Sequence, residues 1–186
     1  MGNFETVKDL RQLKNQLDSD DVRWKEVIKR KLLNNEMLIH ALNNKDLEEA
    51  DDYFGVNILP YYIIHPTQTN VGNFVCFETQ FDDIERGNKI FKYGQVVFYI
   101  LCEQKNLIDE ETYIARHDLL AALIIDEFNW TNYFGLQCHC VSNKPSVTDN
   151  DYACRTLIFE LETPNNIIKT QKSLGRPTNV NYEVFT

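Results

Sequence analysis

The chain has 186 residues, 43% apolar and 25% charged, which suits one well-packed domain with an appendage and excludes general disorder. Its net charge of −9 is uneven: residues 1–46 hold 9 Lys/Arg and 8 Asp/Glu, whereas residues 47–186 hold 10 and 20. An acidic main body argues against ordinary phosphate-backbone binding and suits a solvated structural protein, or a surface that nucleic acid passes without sticking.

No apolar run approaches the ~20 residues of a membrane helix, and no signal-peptide h-region opens the chain, so no membrane partner is expected. Met1-Gly2-Asn3-Phe4-Glu5-Thr6 matches the loose myristoylation pattern, but so short a match arises easily by chance and has no second anchoring signal beside it. The five cysteines (76, 102, 138, 140, 154) are mostly flanked by strand-forming residues and read as reduced, buried small hydrophobes.

In chain order, residues 1–54 read as a helical arm. Val7, Leu10, Leu13 and Leu17 form an apolar stripe over residues 5–18. Ser19, Asp20 and Asp21 offer N-cap oxygens to a second helix, which places Trp24, Val27, Ile28 and Leu32 on one side and Lys25, Lys29 and Lys31 largely on the other. A short third segment presents Met37, Leu38, Ala41 and Leu42, and Asp46 with Glu49 resembles a capping box opening one more turn. The arm either packs on a sheet or reaches a neighbour.

Residues 55–163 read as an α+β core. The chain is extended and irregular from 55 to 73, where Pro60 and Pro66 bias Leu59 and His65 away from helix. The apolar run 58–64 is expected along a surface or sheet edge, which makes Ile58, Tyr61, Tyr62 and Ile64 candidate subunit contacts. A strand at about 74–82 follows, with a hairpin loop containing Gly87. The unbroken run Val96 to Cys102 then predicts a central strand covered on both faces. Leu119, Leu120, Leu123, Ile124 and Phe128 lie at helical spacing between 114 and 128. Strands at about 133–142 and 152–162, joined by a polar loop, complete a β-β-α-β-β order: an antiparallel sheet with a helix packed on one face. Residues 164–186 lack periodicity and are expected to be extended, mobile or ordered by a partner subunit.

Chemistry-bearing clusters are sparse. Cys138-His139-Cys140 with Cys154 invites a metal, but in a strand His139 faces away from both cysteines and no C-x-x-C knuckle accompanies them, so core packing is the better reading. Arg116-His117-Asp118 opens the main helix; His117 and Asp118 could form a base and its orienter, yet Asp118 also suits a helix N-terminus and Arg116 can pair with an acidic neighbour. His40 reads as a surface or interface residue and His65 as a loop residue. Asp82-Asp83, Glu85 and Asp109-Glu110-Glu111 lack EF-hand spacing and read as solvated turns. Phosphate-cradling glycine motifs are absent, and Glu160 and Glu162 have no lysine placed for a nuclease, so no cofactor, metal or catalytic residue is expected.

Several stretches together carry a likeness. They are Ile58-Leu-Pro-Tyr-Tyr-Ile-Ile-His-Pro66 entering Phe74-Val-Cys-Phe77; Ile90-Phe-Lys-Tyr-Gly-Gln-Val-Val-Phe-Tyr-Ile-Leu-Cys102; Ala115-Arg-His-Asp-Leu-Leu120 ending in Glu127-Phe-Asn129; and the closing runs Gly135 to Ser142 and Arg155 to Phe159. In order and texture, over about residues 56–162, the chain resembles the tail-terminator and head–tail joining proteins of tailed bacteriophages. That resemblance implies a non-enzymatic virion protein, assembled in the host cytoplasm. It would form a homo-oligomeric ring, commonly a hexamer, that caps the tail tube and joins it to the head connector while DNA passes through unbound. Arg116 and Asp118, expected to be exposed in the first helical turn, join the candidate subunit contacts. A head-completion adaptor of the same neck, a small hydrolase or nuclease using His117 and Asp118, and an adaptor binding a host factor through its N-terminal helices are the competing readings.

Overall fold

The computed structural model describes residues 20–62, 72–83, 91–147 and 152–164. The expected helix at 5–18, the Gly87 loop, Ile64, His65 and the C-terminal tail lie outside them. Helix α1 (Asp20–Leu33) and helix α2 (Glu36–Leu42) come first, then a 3-10 turn (Ala50–Tyr53) and the two-residue strand β1 (Ile58–Leu59). Strands β2 (Phe74–Asp83) and β3 (Phe91–Glu103) precede helix α3 (Arg116–Phe128), which strands β4 (His139–Val147) and β5 (Tyr152–Pro164) follow.

The sheet runs β1-β2-β3-β5-β4. Its four long strands pair antiparallel, as the β-β-α-β-β order implies, and β1 adds to β2 in parallel. The fold is α+β, with a mixed sheet because of that one short strand. Asn57 anchors it: its carbonyl accepts from Val75 N at 2.8 Å, and its side chain donates to the Asn73 carbonyl at 2.8 Å.

The three described helices lie on one face and share a single core with it. Leu120, Ala121, Ile124 and Phe128 of α3 pack with Val96, Phe98 and Ile100 of β3 and with Trp24, Ile28 and Leu32 of α1. The Trp24 indole lies against Gly94 and meets the Phe81 and Phe134 rings at 4.7 and 5.0 Å. The described helices at 20–42 therefore pack on the sheet. Asp20, expected as a cap oxygen, instead turns its buried carboxylate to Lys92 Nζ at 2.6 Å and to Arg23, locking the start of α1 onto β3.

Helix α2 is closed at both ends by asparagine. Asn35 Oδ1 accepts from Leu38 N at 3.0 Å, and Asn43 ends the helix in the left-handed conformation (φ 51°). Met37, assigned to its apolar stripe, is exposed. The expected Asp46–Glu49 capping box does not form: Asp46 N goes to Asn44 Oδ1 at 3.1 Å, and Glu49 makes no side-chain cap. A local asparagine turn has taken the donor that the box would have used.

The third long strand also differs from expectation. It starts at His139 and runs through Lys144-Pro145 to Val147, whereas 133–138 belong to a turn. Trp130 N donates to the Cys138 carbonyl and Cys138 N to the Thr131 carbonyl, both at 2.8 Å. Gly135 sits at φ 122°, where a side chain would be strained. Phe134 and Cys138 are buried, but Leu136, at the same parity, is exposed. Strand β4 forms the outer edge, carrying a bulge between Cys140 and Ser142 and a proline that offers no donor.

Candidate interface surfaces

Among the described residues, no helix packs on the opposite face of the sheet. One end is apolar: Leu59, Phe74, Cys76, Leu101 and Cys154 cluster there, with Tyr99 and Tyr152 against them. The other end is polar. Registration places Gln80, Gln95, Glu160 and His139 in one row across four strands, and Asp82, Tyr93 and Glu162 in a neighbouring row. Gln80 donates to Gln95, whose amide donates to Glu160 Oε1 at 2.9 Å. Burial, with a hydrogen bond to Glu160, raises the Tyr93 phenol to about 12, so it stays neutral beside these carboxylates. Half-buried Tyr93, Gln95 and Tyr99 show that β3 is central but not sealed equally on both faces.

The first turn of α3 holds two ion pairs of different character. Arg116 Nη2 lies 3.0 Å from Asp109 Oδ1, and the same guanidinium donates to the Ala41 carbonyl at 2.8 Å and the Asn106 carbonyl at 3.2 Å. Thr112 gives Asp109 Oδ2 two further hydrogen bonds, from N at 2.9 Å and Oγ1 at 2.7 Å. Those bonds first, and the Arg116 charge with them, hold the Asp109 carboxyl below its usual range. Asp118, by contrast, is partly exposed and meets Arg155 Nη2 at 2.5 Å, while Arg155 Nη1 donates to Asn143 Oδ1 at 2.6 Å. These groups rim a shallow groove of about 400 Å³ between α3 and the β4 edge.

A family model, YomW, matches residues 28–161. The chain belongs to the YomW family. The family is of phage type, and its model runs from within α1 almost to the end of β5. No curated protein matches the chain.

Within this YomW-family fold, the residues expected to work together are dispersed. Arg116 is not exposed: at 4% exposure it is spent on Asp109 and two carbonyls, because the loop before α3 folds back over its side chain. Ile58 is likewise fully buried in the core, since β1 tucks it beneath the sheet edge. Tyr61 and Tyr62 are exposed as expected, with Tyr62 against Tyr99 at 4.3 Å between ring centroids. His117 Nε2 lies 3.5 Å from Asp118 Oδ1, but the carboxylate is held closer by Arg155; burial lowers the His117 pKa and keeps its imidazole neutral. His40 is exposed on α2, 3.4 Å from Glu111. Cys138 donates its thiol to the Phe128 carbonyl at 3.1 Å, whereas His139 points outward and stacks on Trp130, so the Cys-His-Cys run is divided between two sides of its strand.

Two residues went unremarked in the sequence. Among the described non-glycine residues, only Asn43, Tyr113 and Trp130 have positive φ, and the latter two (58° and 60°) are aromatics with 81% and 64% of their surfaces exposed. Tyr113 precedes α3 and Trp130 follows it. Asparagine tolerates this conformation; bulky residues do so only where neighbours impose it, at about 1–3 kcal/mol. Here Tyr113 N is fixed to the Asp109 carbonyl at 2.9 Å and Trp130 N to the Cys138 carbonyl at 2.8 Å. The available signals were the polar turn residues around each: Thr112 before Tyr113, and Asn129 and Thr131 beside Trp130.

Proposed function

We propose that this chain is a structural protein of the phage virion, a ring-forming neck component that terminates the tail tube and joins it to the head connector. The observation that carries this reading is the sheet face on which none of the described helices packs, whose polar end gathers Asp82, Glu160 and Glu162 around a neutral tyrosine. In a ring, such a face suits the bore. Fixed carboxylates repel DNA phosphates, so the duplex slides past without adhering. The helical face then lies outward, and the phage-type family supports a virion setting. The tail-tube protein and the head connector are the axial partners, and the ring is a homo-oligomer, with six copies as the working number.

Light scattering and negative-stain imaging of the purified chain test this. Annular particles that cap isolated tail tubes support the reading. A stable monomer that turns over a substrate, with turnover lost in His117→Gln, overturns it in favour of a hydrolase.

A further inference from the structure

We propose that the outer edge of β2 is completed by the chain's own C-terminal segment, residues 180–184 adding to it as a further antiparallel strand alongside residues 79–83.

Strand β1 uses the start of that edge. It pairs with Val75 and Cys76, and Pro60 then ends it, its carbonyl held by Lys25 Nζ at 2.7 Å. Val75 N donates to the Asn57 carbonyl, away from β3. The alternation of an antiparallel strand therefore turns the N–H and C=O groups of Thr79, Phe81 and Asp83 outward as well. Among the described residues, no strand lies along this stretch. Unlike β4, it carries neither a bulge nor a proline. A regular row of open backbone groups, beside a Phe81 ring that is only partly buried, is a template for one more strand.

The C-terminal segment contains a candidate of matching length. After Gly175-Arg-Pro177, Val180, Tyr182 and Val184 alternate with Asn181 and Glu183, in a segment otherwise without period. Strand β5 ends at Pro164, opposite Phe91, and β2 ends at Asp83, opposite Lys92, so the segment sets out from the end of the sheet where the open stretch lies. Three strand spacings, ~14 Å, separate β5 from a strand added outside β2. Residues 165–179, as a flexible tether, have a root-mean-square span of ~21 Å. A tether of that reach holds its end at an effective concentration in the millimolar range, so a molecule's own segment outcompetes a neighbour's.

The direction of pairing follows from the point of entry. A segment arriving from the Asp83 end pairs residue 180 with 83 and residue 184 with 79. Tyr182 then shares the helical face with Phe81, while Asn181 and Glu183 stand opposite Asp82 and Gln80 on the other face. A parallel strand over the same five residues would set Glu183 against Asp82, a repulsive pair. Past Thr79 the way is closed, because Lys25 reaches from α1 to Glu78 Oε2 at 2.6 Å and Tyr62 N donates to Glu78 Oε1 at 3.2 Å.

Hydrogen exchange followed by NMR tests this on the full chain, on a chain truncated after Asn179, and on full-length Tyr182→Pro, which removes the central donor. In the full chain the amides of Thr79, Phe81 and Asp83 are expected to be protected, with an Hα–Hα contact between Asp82 and Asn181 marking the register. Truncation and Tyr182→Pro should each speed exchange at those three amides roughly tenfold or more, while the amides that β2 pairs to β3 keep their rates. Isotope-labelled truncated chain mixed with unlabelled full chain should stay unprotected there. Unprotected exchange in the full chain, or protection that survives both changes, overturns the proposal. Protection of the labelled truncated chain by the full one overturns the intramolecular contact and gives the edge to a second copy.

Discussion

Arg116 and Asp109 form a closed pair, 3.0 Å apart and both buried, that staples the loop before α3 to the helix it introduces. The guanidinium also reaches the last residues of α2 through the Ala41 carbonyl, so one side chain joins three segments distant in sequence. Replacing Arg116 with Met leaves a buried carboxylate and two carbonyls short of donors. Breaking a buried pair in this way costs about 3–5 kcal/mol. Urea denaturation of Arg116→Met should show a loss of that size. The double variant Arg116→Met/Asp109→Asn should lose less than the sum of the two single changes, since its partners are coupled.

A second prediction concerns the seat of Trp24. A Cβ placed on Gly94 would lie 2.5 Å from Trp24 Cη2 and 2.9 Å from Cζ3. The indole is wedged between Phe81 and Phe134 and has no free direction in which to retreat. Gly94→Ala should therefore destabilise the fold by about 1–3 kcal/mol, the usual range for overpacking, despite alanine's better strand propensity. Chemical denaturation followed by tryptophan fluorescence measures this, and a neutral or stabilising result would show that α1 can slide.

The imidazole of His117 gives the fold a pH dependence of definite sign. Burial lowers its pKa, Asp118 opposes the shift, and Arg155 adds to it. Its folded-state value therefore lies below the unfolded value of about 6.5. A group of this kind contributes stability that is fully present above the unfolded pKa and is lost as pH falls through the folded one. Stability should decline as pH drops below about 6.5, and His117→Gln should flatten that decline. NMR titration of the His117 ring reads the same shift directly; a midpoint at or above the ordinary value would refute it.

All five cysteines are free thiols, and only Cys140 is more than marginally exposed. Burial raises the Cys102 thiol to about 12 and pushes up those of Cys138 and Cys140 as well. The thiolate is the reactive form, so the native chain at pH 8 should react slowly with Ellman's reagent, Cys140 first. Urea should release all five together. Rapid modification of Cys76 or Cys154 in the native state would show that the sheet face carrying them opens readily.

The sequence made the long elements legible because burial and period agreed. Val96 to Cys102 could only be a central strand, and Leu120, Ile124 and Phe128 could only face a core. Where turns were set by side chains, the pattern misled. Phe134, Leu136 and Cys138 alternate like a strand, yet Gly135 and the backbone bonds of Trp130 and Thr131 fold them into a turn. Arg116 looked like an exposed first-turn cation, because nothing local reveals that Asp109 and Thr112 will form a socket over it. Tyr113 and Trp130 were hidden for the same reason: a positive φ is imposed by contacts that close only when the chain is folded.

The outer strand of the sheet has its own consequence. Among the described residues, its bulge, its lysine and a proline at position 145 leave no regular ladder of donors and acceptors along its outer rim. Strand-by-strand fusion of neighbouring molecules is thereby discouraged, even when many are crowded together. At high concentration the molecules then stay discrete rather than turning into fibres.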